Sequence, residues 1–349
     1  MAINKNMLRE RATKVDDISD EMWAEVNPEN KEVIEEYFDS SQHLSKETIK
    51  QYRSGLKIFF YWIKEKAKNK PLYEVKKSDF MKYRSYLINR DLASKSLNTK
   101  KSSVSSLCNF IENIYCEENE NYKNFRNFTR GLPSIPKNQV YEKIKVTEDE
   151  FKKMMGILED QKDYLGMAWT AVAFYMGGRR NELVQLKSEV VTYPHHTNAN
   201  GEEMDYRFSH IIKGKGRGRD GKPLKFMINN EAIFYINLWL EKRGYEHEFV
   251  FTVKYGGRFK ALDKTWANEF CANKLSNILD RRINPHLFKA SCITFLLESG
   301  VSMKTVSKHI AHHESVDTTA IYDLRTDDDE RDNIFVKKKV EVVEEIKSE

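Results

Sequence analysis

The stretch PHLFKASCITFLLESGVSMKTVSKHIAHHESVDTTAIY, residues 285–322, is the one around which the chain is organised. It opens on His286 behind Pro285 and runs through an apolar helical segment to the pair His312 and His313. Thr318 and Thr319 then lead to Tyr322. A tyrosine hydroxyl attacks a phosphodiester where cations and imidazoles bear the charge that develops on the phosphate. This segment supplies the hydroxyl, the imidazoles and a cation, Lys289, within one short region. His309, His312 and His313 also stand at i, i+3 and i+4, a spacing that can hold a transition metal on a helix. No carboxylate or cysteine completes such a set, so no metal is expected there.

A chain of 349 residues, 40% apolar and 12% aromatic, fits two globular domains. Its 58 basic and 53 acidic residues leave a net charge of +5, so the distribution of charge carries more information than its sum. Cys108, Cys116, Cys271 and Cys292 show neither a CxxC nor a paired metal spacing and read as reduced thiols of a cytosolic protein. No apolar run approaches the roughly 20 residues of a membrane span. The opening MAINKNMLRERATKVDD lacks the apolar centre of a signal peptide. A soluble intracellular protein without a membrane partner is expected.

Residues 1–30 are charged and weakly patterned, a leader or arm with Trp23 and Val26 as candidate anchors. Residues 31–132 read as a small helical domain. Ile49, Tyr52, Leu56, Phe59, Phe60 and Ile63 recur at helical spacing, followed by Phe80, Tyr83 and Leu87 with Ser78 and Asp79 as cap candidates. A third face carries Val104, Leu107, Cys108, Ile111 and Ile114. Its leading turns, SKSLNTKKSS at 94–103, admit two readings: a solvated cap, or phosphate contacts through Lys95, Ser96, Asn98, Thr99, Lys100 and Lys101.

Pro133 and Pro136 mark a linker over 133–146. The capping box Thr147-x-x-Glu150 then opens a second domain, 147–325. A helix apolar on most sides, about 163–176, runs into GGRRNELVQLK at 177–187. An arginine at such a buried corner needs an anion, which is either Glu182 or a phosphate from outside. From 188 to about 228 short strands are expected at Val190–Tyr193, at Tyr206–Ile212 and at Leu224–Ile228. Among them lies the glycine-rich hairpin KGKGRGRDGKPLK, whose Lys213, Lys215, Arg217 and Arg219 either keep it soluble or meet a polyanion. Two scaffold helices follow, about 230–242 and 263–280. The tail, 326–349, has apolar positions that could pack on this molecule or on a neighbour. The expected fold is mainly α with a small antiparallel β-sheet, an α+β architecture.

Taken in order, these motifs resemble the tyrosine recombinase, or phage integrase, family over about residues 45–325. Thr48 and Tyr52 match a T-x-x-x-Y opening of its helical core-binding domain. Gly177 to Leu183 matches G-L-R-x-x-E-L with Arg179 as the arginine, and Gly214-Lys215-Gly216 matches G-K-G. His286 begins the His-x-x-Arg motif, with Lys289 where the family has arginine. His313 and Tyr322 keep the nine-residue spacing of the last motif, with His312 where the family has glycine.

The resemblance implies a metal-free and ATP-free reaction on double-stranded DNA at a specific site. Tyr322 forms a 3′-phosphotyrosyl link, Lys215 protonates the leaving 5′ oxygen, and Arg179, His286, Lys289 and His313 stabilise the phosphate. It also implies a dimer to tetramer on DNA, with an accessory DNA-bending protein as a further partner, in the cytoplasm of a bacterial host. A guanidinium grips two phosphate oxygens where an ammonium is a single point charge. Losing such a contact costs about 2.7–4 kcal/mol in the transition state. Two functions are therefore carried forward. One is an integrase or recombinase in which Lys289→Arg raises cleavage. The other is a recombinase scaffold that binds DNA as a repressor and does not cut it.

Overall fold

The computed structural model describes residues 17–90, 92, 94–133, 144–216 and 221–325. Arg217, Arg219, the tail from 326, the first 16 residues and most of the linker lie outside the described residues. The chain divides, in the main, into one compact unit before residue 143 and another from residue 143 onward.

The first unit is helical: α1 (Asp20–Ala24), α2 (Pro28–Ser40), α3 (Lys46–Lys66), α4 (Lys77–Ile88) and α5 (Ser94–Phe110). Polar side chains begin these helices by satisfying their free N–H groups. Asn27 accepts from Glu29 N at 2.9 Å and Ser45 from Thr48 N at 3.2 Å. Leu56, Phe59, Phe60 and Ile63 of α3 are fully buried with Phe80, Tyr83, Val104 and Leu107. Gly55 allows α3 to cross close to α5, since a Cβ there would lie 2.6 Å from Ser103 Oγ.

Three expectations need correction in this unit. Residues 17–30 are not a bare leader: α1 is a helix, while Val26, one of the two candidate anchors, is buried in the core. Ser78 does not cap α4; the Asp79 carboxylate does so, accepting Lys76 N at 2.9 Å while paired with Lys70. Ile114 is exposed, because the chain passes through a wide π-helical turn at Ile111–Tyr115 that rotates it off the apolar face.

The second unit begins with α6 (Glu148–Asp160), opened by the Thr147–Glu150 capping box. Next comes α7 (Tyr164–Met176), buried along most of its length, with Trp169 set edge-on to Trp266, Phe270 and Phe288. The short helix α8 (Arg180–Leu183) follows directly. Among the described residues the β structure is three separate antiparallel ladders: β1 (Tyr206–Phe208) with β4 (Met227–Asn229), β2 (Ile212–Gly214) with β3 (Lys222–Leu224), and β5 (Thr252–Tyr255) with β6 (Arg258–Ala261). The strand expected at Val190–Tyr193 is a 3₁₀ turn, Ser188–Thr192, closed by Tyr193 N on Val190 O. A single buried valine, Val190, anchors that turn, so the apolar run there never needs a partner strand.

Helix α9 (Asn230–Arg243) packs on α7, and α10 (Trp266–Glu269) and α11 (Ser276–Leu279) flank a π-helical turn. Helix α12 (Pro285–Glu298) starts on Pro285, whose fixed φ suits a first helical position. It is followed by α13 (Met303–Val306), a π-helical turn at Ser307–Ala311, and α14 (Val316–Ala320).

Candidate active site

Helix α7 ends at Gly177 with φ +61°, where a Cβ would sit 2.9 Å from Cys292 Sγ on α12. The close approach requires glycine and sets the Arg179 corner against α12. Burial pushes the Cys292 thiol up to about 12, so it stays neutral. Glu182 is only 1% exposed and accepts both Arg179 N at 2.7 Å and Arg179 Nη1 at 2.8 Å. The internal ion pair is therefore real, and it also holds the guanidinium in one place. Among the described residues Glu182 is its hydrogen-bond partner, which leaves most of the guanidinium donors for another anion.

Lys289 is fully buried on α12, and its ammonium donates to Ala311 O at 3.0 Å. Burial first, and the nearby Arg179 charge second, bring it down to about 8, with Glu182 acting the other way. It remains charged at pH 7, in an interior where no carboxylate bonds to it among the described residues. Such a charge is costly unless an anion joins it.

The Ala311 carbonyl belongs to the turn that presents both histidines. His312 adopts a left-handed conformation, φ 53° and ψ 37°, which favours the glycine found in the family motif. Its ring stands edge-on to Phe226 with centroids 4.6 Å apart. His313 Nδ1 lies 2.9 Å from Thr319 Oγ1 on α14, and its ring centroid is 5.2 Å from that of Tyr322. The Nε2 atoms of His312 and His313 are both buried, without a hydrogen-bond partner among the described residues. Burial, with the charge of Lys289 next, brings both imidazoles down to about 4, so both are neutral at pH 7.

Tyr322 is half-buried beside His313. Thr294 of α12 holds the chain just after it: Thr294 Oγ1, bonded to Ala290 O at 2.8 Å, is 3.2 Å from Tyr322 O and accepts Leu324 N at 3.0 Å. Arg179, Lys289, His312, His313 and Tyr322 are thus one cluster, and Arg179, Glu182 and Lys289 act electrostatically on both imidazoles.

Two further site candidates stand at the surface of the same unit. His286 is exposed on the first turn of α12, three residues before Lys289. Lys215 is exposed immediately after β2. Gln185 ties this hairpin to the arginine corner, donating to Lys213 O at 3.0 Å and accepting Lys213 N at 3.0 Å. In the first unit, Lys95 and Asn98 are exposed on the leading turns of α5, and Ser96, Thr99, Lys100 and Lys101 are half-buried there.

Sequence reasoning missed Gln185, Thr294 and Thr319 as supports, and marked His312 only as a departure from the family's glycine and a member of the histidine set weighed for a metal. A hydroxyl three residues before Tyr322 was the available signal for Thr319; nothing local marked Thr294. Among the described residues no group of three or more His, Cys, Asp or Glu could hold a metal ion, and no helix is long and apolar enough to cross a membrane.

Comparison with known proteins bears on the family and the fold. The description "Phage integrase family" matches residues 145–329, and "Phage integrase, N-terminal SAM-like domain" matches residues 31–114. The chain is 51% identical over 336 residues to the SPbeta prophage-derived recombinase-like protein YomM of Bacillus subtilis, covering 96% of this chain and 99% of that protein. It is 26% identical to the tyrosine recombinase XerA of Pyrococcus horikoshii, over 90% of this chain and 96% of the relative. In fold it is similar to the Tn1549 transposon integrase in complex with transposon right end DNA, with a TM-score of 0.63 at 13% identity over 88% of this chain and 98% of that one. It is also similar to the XerH site-specific recombinase bound to a palindromic difH substrate, with a TM-score of 0.60 at 16% identity over 83% and 80% of the two chains.

Proposed function

Because the chain belongs to the phage integrase family, we propose that it binds duplex DNA at a specific site and cuts and rejoins it through Tyr322. The Tyr322 hydroxyl attacks the scissile phosphorus, forming a 3′-phosphotyrosyl bond and releasing its proton to water. The bond to the 5′ oxygen breaks, and Lys215 protonates that oxygen as it leaves. Arg179 and Lys289 carry the charge that builds on the non-bridging oxygens, assisted by N–H donors from His286 and His313. Reversal with a partner strand rejoins the DNA without an external energy source.

The observation that carries this reading is the Lys289 ammonium, fully buried with one carbonyl partner, beside the unpartnered Nε2 atoms of His312 and His313. A dry cationic pocket with unused donors suits a phosphate oxygen and little else that DNA presents. Lys95, Ser96, Asn98, Thr99, Lys100, Lys101 and Lys213, with Arg217 and Arg219, are proposed to track the DNA backbone. Strand exchange brings two duplexes together, so a dimer to tetramer on DNA, in the cytoplasm of a bacterial host, belongs to the same proposal. So does assistance from a DNA-bending protein.

A nicked duplex carrying the protein's selected binding site tests it. A covalent protein–DNA adduct is expected on a denaturing gel and is lost in Tyr322→Phe. Tight binding with no adduct would overturn the cleavage step and leave a DNA-binding regulator.

A further inference from the structure

His312 is the residue that the mechanism above leaves unused, although it stands at the centre of the cluster. Its backbone is in the left-handed region, where an L side chain is strained and glycine is not. Its Nε2 is buried and unpartnered, a second unfavourable feature on one residue. Among the described residues its ring meets the edge of Phe226, a contact that an apolar side chain would make without the orphaned nitrogen.

The ring is nonetheless well placed. Phe226 is held by its backbone in both directions to Ser209, at 3.0 and 2.9 Å, so the surface against which His312 rests is fixed. The charged groups acting on the imidazole come from three elements: Lys289 on α12, Arg179 and Glu182 at α8, and Lys222 on β3. Three are cations. An anion entering among them would accept from Nε2 and satisfy it.

Lys289 is meanwhile tied to Ala311 O, the carbonyl immediately before His312. An ammonium so tethered reaches a phosphate as one point, where a guanidinium would supply two parallel donors. We propose that His312 is a phosphate ligand of this site, supplying through Nε2–H the second donor that Lys289 lacks, so that the two residues together replace one arginine.

This rests on the phosphate-binding reading of the site, and it alters what an arginine at 289 should do. The larger guanidinium must enter a fully buried space beside the His312 ring. Lys289→Arg alone is therefore expected to gain little, and Lys289→Arg combined with His312→Gly to be the productive change.

The test uses the full chain and its selected duplex, with single phosphates replaced in turn by neutral methylphosphonate. The position at which Arg179→Ala becomes indifferent to the replacement marks the phosphate held in the site. His312→Gly is expected to bind the unmodified duplex about tenfold more weakly. It should lose no further affinity when the marked phosphate is made neutral, and the double variant with Lys289→Arg should recover most of the loss. Glycine suits φ +53°, so folding is retained, and His312→Asn, which tolerates that conformation and keeps an N–H donor, should fall between. Equal losses on the phosphate and methylphosphonate duplexes, or no loss, would overturn the assignment. Adduct formation is scored separately. A wild-type protein that makes none, yet shows the phosphate-specific loss in His312→Gly, sinks the cleavage reading and leaves His312 as a phosphate ligand.

Discussion

The ammonium of Lys289 and the carbonyl of Ala311 are 3.0 Å apart in the interior of the second unit, so the charge at position 289 is fastened to the turn that presents both histidines. Removing the charge is expected to separate stability from activity. Lys289→Met keeps the length of the side chain and ends the desolvation of an ammonium, at the loss of one hydrogen bond. Thermal stability should hold or rise by about 1 kcal/mol, while adduct formation falls at least a hundredfold. A fall in stability of about 3 kcal/mol, as when a buried pair loses one partner, would make the charge structural.

Lys289 also sets an alkaline limit. With its folded value down to about 8, the protonated form drains away above that pH before DNA binds. Single-turnover cleavage at subsaturating DNA should therefore fall between pH 8 and 9. In Lys289→Arg that limb should disappear, since a guanidinium stays charged there. Identical profiles for the two proteins would place the limb on another group.

The imidazoles act at the other end of the scale. Both have folded values lowered from 6.5 to about 4, so between these values the unfolded chain binds more protons than the folded one. Stability is then present above about pH 6.5 and lost as pH falls toward 4. Urea midpoints should drop between pH 7 and 5, and the drop should be smaller in His313→Gln. An unchanged slope in that variant would show that His313 is not one of the groups responsible.

Thr319→Val should leave DNA binding near wild type and slow cleavage about ten- to a hundredfold. The hydroxyl 2.9 Å from His313 Nδ1 fixes the ring's orientation. A loss in affinity matching the loss in rate would mean that α14 itself has shifted.

The order of the motifs was legible because each is short and local: glycines at a forced turn, an arginine with Glu182 three residues on, a histidine nine residues before a tyrosine. The helices were legible because periodicity reports which face of a segment is apolar. What covers that face is not local information. The 3₁₀ turn at Ser188–Thr192 is tied to Glu248 O and His247 O, and the helix at Asp20–Ala24 meets Lys57, partners distant in the chain. The complete burial of Lys289 and the left-handed backbone of His312 depend in the same way on Ala311 and Phe226. Sequence could name both departures from the family pattern, yet it could not tell that they touch the same corner.

Thr294 has a consequence for ownership of the nucleophile. One hydroxyl on α12 holds the chain immediately after the Tyr322 side chain, at Tyr322 O and Leu324 N, on the helix that also carries Lys289. On the proposed reaction, each protomer is expected to attack with its own tyrosine at its own phosphate-binding corner. Mixing a Tyr322→Phe protein with an Arg179→Ala protein should assemble no competent centre, and the mixture should form no more adduct than either variant alone. Rescue on mixing would mean that the tyrosine segment leaves α12 and is exchanged between neighbours. Without exchange, the order of strand cutting in an assembly has to be set by which protomers are active, and not by who lends a tyrosine to whom.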